Sequence, residues 1–513
     1  MHDDNRRKRY NDNMIDWKKY NPDHYLPVII LIISLMVFLP NLNRHHLWQD
    51  EAQTALISKS ILSNGIPYGH DEKNSYSQES GAENNKDGIY KWHPWIPFYI
   101  HAAVFQLFGQ SDFAARLPDA LFGIGTVLMC FWTMRSTGRG VRISLLAAGI
   151  LILIVPFLLL SRQCRYYSMV SFFSMACIWS YFLFLQSKKY ARILLVGSTA
   201  ILFHIQMIYG AIFLMTMFIH LVLVKRKMFG QVLIPAAVIL CFVVPWIFYT
   251  SDISYQARYG QLIYNQEISK GFLLDFIRQL FRYVIPFYFL IFIYIVGVWQ
   301  RKNIGFIWKT TKVFTGFNFL FITLVLIVLA VTAPNSFFRY LIPLLPICAI
   351  LLAEITELGF KSHPVLGYAG IFLILIYQPL PSYFYELTHG FKGPMEGLVT
   401  HLRQYAGPTD TVAISYGDMP IKWYTGLHVI GGLTGENLEN TRNARWVIIR
   451  KYVNCAPVIN VKQHLESQVQ KGQYRKYVLD APDTPYENRE DPQNHLFRTA
   501  TEEDKVVIYE RIP

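Results

Sequence analysis

The sequence predicts a polytopic α-helical membrane protein of about eleven transmembrane helices with a C-terminal extracytoplasmic α/β domain. Three observations carry this. Of 513 residues, 52% are hydrophobic and 16% charged, against roughly 25% charged in a soluble domain. Apolar runs of roughly 16 to 20 residues recur, the length that crosses a hydrocarbon core about 30 Å thick. Short Lys/Arg clusters separate the runs; they account for the net charge of +13 as helix-orienting groups, so no nucleic-acid partner is needed. Of six cysteines, Cys130, Cys177, Cys241 and Cys348 lie in apolar runs, leaving Cys164 and Cys455 on polar segments. No disulfide framework or zinc spacing follows.

Residues 1–24 carry Arg6, Arg7, Lys8, Arg9, Lys18 and Lys19 and read as a cytoplasmic segment before a retained first helix, Tyr25–Leu42. Clusters at Arg135/Arg139/Arg142, Lys188/Lys189/Arg192, Lys225/Arg226/Lys227 and Arg301/Lys302/Lys309/Lys312, if all cytoplasmic, fix the parity of crossings between them. One return crossing must precede Arg135. Pro94–Phe108 reaches only about 22 Å, so it reads as interfacial or re-entrant. Leu117–Met134 then crosses, and residues 43–116 form a long first outer loop. Ile143–Leu160 and Tyr166–Leu185 follow, then two short helices turning near His204–Gly210. Val232–Tyr249, Tyr283–Trp299, Val313–Val331, Leu341–Leu358 and Val365–Leu380 complete a membrane domain of residues 25–381. Ser161–Arg165, Ser251–Leu280 and Ala333–Arg339 fall on the outer face. The polar residues 382–513 show strand-like runs Thr411–Ser415, Trp446–Ile449 and Val506–Tyr509 and a helix-like run Val461–Gln470, hence a small α/β domain.

The candidate chemistry gathers on the outer face. Trp48-Gln49-Asp50-Glu51-Ala52-Gln53 opens an amphipathic stretch that stops at Gly65-Ile66-Pro67. Asp50 suits an N-cap with Gln53 as its capping-box partner and Gly65 as the C-terminal stop. A capping position can also aim a carboxylate into a cavity, so both roles stay open. A polar insert, His70–Gly88, expected to be mobile, precedes Lys91, His93 and two tryptophans, which read equally as an aromatic belt. Arg116, Arg162, Arg165 and Arg339 stand at outer helix ends against the usual charge bias. They point to an anionic partner, and a phosphate suits the guanidinium fork. Arg258 is a weaker addition. Asp119 lies near the outer surface as a supporting acid, while Glu354 and Glu357 are expected to reach water or pair with Lys361. Trp423 and Tyr424 read as sugar-stacking aromatics or as packing.

The order W-x-D-E-A-x-x-A, G-x-P-Y, H-P and L-F-G-x-S-x-F-A-A-R-L-P resembles the first outer loop of the GT-C membrane glycosyltransferases. The likeness is to the group of protein O-mannosyltransferases and lipid A aminoarabinose transferases (glycosyltransferase family 39-like), and Ser161–Tyr167 and Phe338–Pro346 resemble its later outer loops. The resemblance implies a GT-C fold and a polyprenyl-phosphate sugar donor. It also implies a lipid, glycan or protein acceptor on the outer face of, by expectation, a bacterial inner membrane. On that reading Asp50 is the general base, with Glu51 as support or alternative. Lys91, Arg116, Arg165, Arg339, Tyr166 and Tyr340 bind the donor phosphate, and His93, Arg162 and Arg258 contact substrate. A single displacement would invert the anomeric carbon. No cofactor is expected. Ser161–Tyr167 lacks the acid many relatives carry, so a divalent metal is left without its second carboxylate and none is assigned.

A transporter or flippase for an anionic lipid-linked substrate is the alternative. Such proteins place their sites near the midplane in paired repeats; here the polar candidates gather at one face and no inverted repeat is visible. A scaffold that binds cell-wall polymers would leave the Asp50–Arg116 constellation unexplained.

Overall fold

The computed structural model describes residues 22–251, 266–300, 304–390, 393–452, 456–484 and 504–512. Arg258, Cys455 and the N-terminal basic cluster lie outside them.

Among the described residues six helices are long and apolar enough to cross a membrane, and six further apolar helices are shorter. The first, α1 (Pro22–Phe38), leads into a long loop, which holds α2 (Gln49–Asn64) and α3 (Ile96–Phe108). At 13 residues, α3 is indeed too short to span. Next comes α4 (Asp112–Ser136), which starts a turn before the apolar run because Ser111 caps it, its Oγ accepting from the Ala114 N–H at 3.2 Å.

The expected helix Ile143–Leu160 is two: α5 (Val141–Leu153) and α6 (Val155–Leu160). Ile154 is extended (ψ 98°), because Pro156 has no N–H for the preceding turn and its ring crowds it. The segments α7 (Tyr167–Leu185), α8 (Ala191–Ile205), α9 (Met207–Val224) and α10 (Phe229–Tyr249) follow the expected order, with the short pair breaking at Gln206 (φ −156°). Beyond them the reading needs correction. Gln266–Tyr283, expected as loop, is α11, and the expected span Tyr283–Trp299 shrinks to α12 (Phe289–Trp299). Pro286 separates them, and Phe272, Phe276 and Leu280 recur every fourth residue, the helical period. The bundle closes with α13 (Ile304–Thr332), α14 (Leu345–Ser362), α15 (Pro364–Tyr377) and the unexpected α16 (Leu380–Thr388). Exposed Ile33, Met36, Leu121, Ile193, Ile234 and Phe242 lie on its periphery, as expected of a surface wetted by lipid.

Glu354 and Glu357 do not use Lys361. Arg139 reaches Glu354 at 2.9 Å and Arg142 reaches Glu357 at 2.7 Å, tying the C-terminal end of α4, the start of α5 and the C-terminal half of α14 together. This end lies about 35 Å from the start of α4, by helix rise.

After α17 (Pro394–Tyr405), five strands form one sheet: β1 (Thr411–Ile414), β2 (His428–Gly431), β3 (Trp446–Ile448), β4 (Tyr474–Pro482) and β5 (Lys505–Arg511), in the order β2-β1-β3-β5-β4. The pairs β1/β2 and β1/β3 are parallel; β5 runs antiparallel to both its neighbours. The connection from β1 to β2 is α18 (Asp418–Thr425), and α19 (Ala456–Lys471) precedes β4. Buried Val412, Ile414, Trp446 and Ile448 form the core on one face.

The sheet domain is docked onto the long loop between α1 and α4. Gln49 Nε2 donates to Asp418 Oδ1 at 2.8 Å, Lys422 Nζ donates to Ser75 O at 2.7 Å, and Asn74 holds Leu427 and Val429 by their backbones. The insert His70–Gly88 is therefore folded between α2 and the sheet domain, contrary to the expected mobility. Buried Glu83 gathers Ser77 Oγ (2.6 Å) and Gln53 Nε2 (2.8 Å) inside it.

Candidate active site

The turn that starts α2 presents two adjacent acids in different ways. Trp48, extended, is the N-cap residue, and Glu51 accepts from its backbone N–H at 3.3 Å. The capping reading of Asp50 and Gln53 is thus corrected by two residues, while Gly65 is the C-terminal stop (φ +76°). Asp50 sits in the first turn with its carboxylate turned to arginines from two distant loops. Its Oδ2 accepts from Arg339 Nη1 at 2.9 Å and lies 3.5 Å from Arg165 Nη2. The three side chains are 10–18% exposed.

Arg165, on the loop between α6 and α7, is steadied by Thr54 Oγ1 at 3.0 Å, while its buried Nε has no hydrogen-bond partner among the described residues. Burial works against its charge, but Asp50 and the surrounding tyrosines outweigh burial and raise its pKa. Arg339 lies on a 3₁₀ turn, Phe338–Leu344, beside the rings of Trp48, Phe337 and Tyr340 at 5.9, 4.7 and 5.8 Å. Tyr209 OH holds that turn through the Tyr340 carbonyl at 2.7 Å. His93 stands 5.1 Å from the Tyr166 ring. Burial, then Arg165 and Arg339 against an opposing Asp50, lower its pKa to about 3, so the ring is neutral at physiological pH.

Glu51 and Arg116 stand apart from this group. Arg116 Nε and Nη2 grip Glu51 at 2.8 and 2.7 Å, Nη1 donates to Leu42 O and His45 O, and Nη2 also reaches His46 O. Each of the five N–H groups of this guanidinium has an acceptor. Glu51 also accepts from Cys164 N at 2.8 Å. Lys91 points elsewhere: its Nζ donates to Tyr249 O at 3.0 Å and lies over that ring at 4.1 Å, where a cation suits the C-terminus of α10. Arg162 closes α1 through Pro40 O at 2.7 Å. The sequence-predicted residues that converge are Asp50, Arg165, Arg339, His93, Tyr166 and Tyr340; Glu51, Arg116, Lys91 and Arg162 surround them in other bonds. Trp423 packs against Phe105 (5.7 Å), and Tyr424 OH donates to Asp112 Oδ1 at 2.6 Å, so both serve the docking of α18.

Two links escaped the sequence, although Gln53 and Asp119 each stand out in it for another reason. Gln53 links Glu83 to Arg165, its Oε1 lying 3.4 Å from Arg165 Nη1. His101 pairs with Asp119 at 2.8 Å in full burial; its place in an apolar helix, 18 residues from the acid, was the available signal.

No known family model matches the sequence, and no curated protein does. Solved structures do. ArnT from Cupriavidus metallidurans in the apo state matches with a TM-score of 0.58 at 12% identity, over 95% of this chain and 98% of that chain. Its complex with undecaprenyl phosphate gives 0.53 at 13%, over 94% and 97%. The Archaeoglobus fulgidus oligosaccharyltransferase, in complex with Zn and sulfate, gives 0.55 at 14%, over 82% and 67%. The fold is the GT-C fold. Within it the Asp50–Arg165–Arg339 group sits where α2, the loop before α7 and the turn before α14 meet. Among the described residues no three His, Cys, Asp or Glu side chains converge, and Asp50 faces two guanidiniums. These residues do not fit a divalent metal.

Proposed function

We propose that the protein is a membrane glycosyltransferase that moves a sugar from a polyprenyl-phosphate donor to an acceptor on the extracytoplasmic face. The observation that carries this reading is the shared carboxylate: one oxygen of Asp50 lies between two guanidiniums that belong to different loops. Two arginines and one aspartate leave a charge of +1, which a phosphodiester monoanion balances. The orphan Arg165 Nε adds a donor, and buried unpaired donors are costly unless a ligand takes them.

The chemistry follows from that exchange. As the donor phosphate draws Arg165 and Arg339, Asp50 loses its cationic partners and becomes a better base, since nearby positive charge had stabilised its ionised form. It then accepts the proton of the acceptor hydroxyl as that oxygen attacks the anomeric carbon. The bond to the phosphate oxygen breaks, and the arginines hold the growing negative charge on the leaving lipid phosphate. One displacement inverts the anomeric centre. His93, uncharged, orients a hydroxyl, and Tyr166 and Tyr340 flank the phosphate. Glu51 and Arg116 keep the frame in shape and touch no substrate.

The test is transfer of labelled sugar from a panel of polyprenyl-phosphate sugars to membrane acceptors, with the purified protein in nanodiscs and Asp50→Asn as control. Consumption of one donor, lost in a folded Asn variant, supports the reading. Movement of a phosphate-bearing lipid across liposomes without donor consumption would replace it with the transporter.

A further inference from the structure

The loop that carries Arg165 is held by two buried acids, one at the Cys164 amide and one at Ser168 just beyond the loop, each neutralised by its own base. Cys164 N–H donates to Glu51 Oε1 at 2.8 Å, and Glu51 is paired with Arg116. The carboxylate of Asp119 accepts from Ser168 Oγ at 2.9 Å, in the first turn of α7 just after the loop. Its partner is His101 at 2.8 Å; both side chains are 0% exposed.

The proton count at this second pair follows from its geometry. His101 Nδ1 faces Pro97 O at 2.7 Å; a carbonyl only accepts, so Nδ1 carries a proton. One more proton lies between Nε2 and Asp119, and on either atom it leaves the pair net neutral. Both acids therefore fix the loop without changing the charge seen by a ligand. The seat beneath the loop is equally tight: a Cβ at Gly123 of α4 would stand 2.6 Å from Ser161 Cβ.

We propose that Asp119 and His101 are positioning residues that act through Arg165: with Glu51–Arg116 they fix residues 161–166 so that the Arg165 guanidinium reaches the donor phosphate. This rests on the functional reading above. Placement errors of about 1 Å at a reacting centre cost roughly a hundredfold, so the loop's anchorage sets the rate although neither residue touches substrate.

The experiment pairs substitutions with two readouts. Asp119→Asn preserves the hydrogen bonds, accepting from Ser168 through oxygen and donating to His101 Nε2 through nitrogen. It is expected to keep transfer within about threefold of wild type. Asp119→Ala is expected to raise the donor KM about tenfold and to speed amide exchange in 161–166 while the sheet domain is unchanged. Its effect should vanish in an Arg165→Ala background. Should the alanine variant not fold, Ser168→Ala and His101→Gln are tested in the same way. An Asn variant as damaged as Ala, or effects that add to those of Arg165→Ala, would overturn the proposal. If wild type binds no polyprenyl phosphate, the functional reading fails instead, and amide exchange in 161–166 still decides whether the acids hold the loop.

Discussion

Asp50 and Glu51 are neighbours in one helical turn, both face arginine, and they are built for opposite ends. Glu51 is fully buried and meets Arg116 in a bidentate pair whose remaining donors go to backbone carbonyls. Nothing is left over for a ligand. Asp50 offers one oxygen to two guanidiniums, one of them at 3.5 Å, in a site 10–18% exposed. Two guanidiniums share that oxygen and one of the contacts is long, so exchange with an incoming anion costs less than breaking the Glu51 pair. The contrast teaches that an acid's function is read from the geometry and burial of its pairing, not from the presence of a partner.

The contrast breaks hardest at Asp50. Asp50→Asn is expected to lower transfer on the order of 10³-fold, within the usual range for a lost general base, with the melting temperature held. Binding of polyprenyl phosphate should persist or tighten, because the competitor for the arginines has lost its charge; a variant that loses the lipid as well would mean that Asp50 is a binding group. Glu51→Gln should do the reverse. Breaking a buried pair costs about 3–5 kcal/mol, so the melting temperature should drop, and activity per folded molecule should fall far less than in Asp50→Asn. Arg116→Lys should fail to restore stability, since an ammonium lacks the fork.

Arg339→Gln comes next in size. The donor KM should rise roughly tenfold to a hundredfold, as for a charge-assisted hydrogen bond, with a smaller change in kcat. Equal losses in kcat and kcat/KM would instead place Arg339 at the leaving group in the transition state only.

Why Asp50 was legible and its geometry was not has a physical cause. Outer arginines violate the charge bias of membrane loops, so Arg165 and Arg339 announce themselves by residue type and place. Yet Arg116, Arg162 and Lys91 violate the same bias while binding backbone carbonyls, and a linear sequence does not say which cation finds an acceptor at home. The helix order was legible because apolar runs of spanning length are long and periodic. The break at Ile154 and the helix Gln266–Tyr283 were missed because one proline and an amphipathic pattern with charges were read as continuity and as loop. The insert His70–Gly88 looked mobile because its polar residues bond to each other and to the sheet domain, contacts with no local signature.

The smallest expected effect sits at His93 and sharpens the comparison, because the same arginines act on a third titratable group. Its ordinary pKa of 6.5 is lowered to about 3 in the folded chain, mainly by burial and then by Arg165. Between those values the unfolded chain binds the proton and the folded one does not. Stability therefore rises with pH across this window and is lost as pH falls through it, by at most about 1.4 kcal/mol per unit. His93→Gln, which cannot titrate, should lose less stability than wild type when pH drops from about 7 to about 4.5, measured by thermal unfolding in nanodiscs. Parallel curves would show that the ring is solvated, and with it that the two guanidiniums are less concentrated around Asp50 than their distances imply. Adding Arg165→Gln should raise the His93 pKa and shrink the difference, because one of the charges that keeps the imidazole neutral is gone. Glu51→Gln should leave it nearly unaltered, since Glu51 and Arg116 are paired with each other in full burial, apart from the Asp50 group.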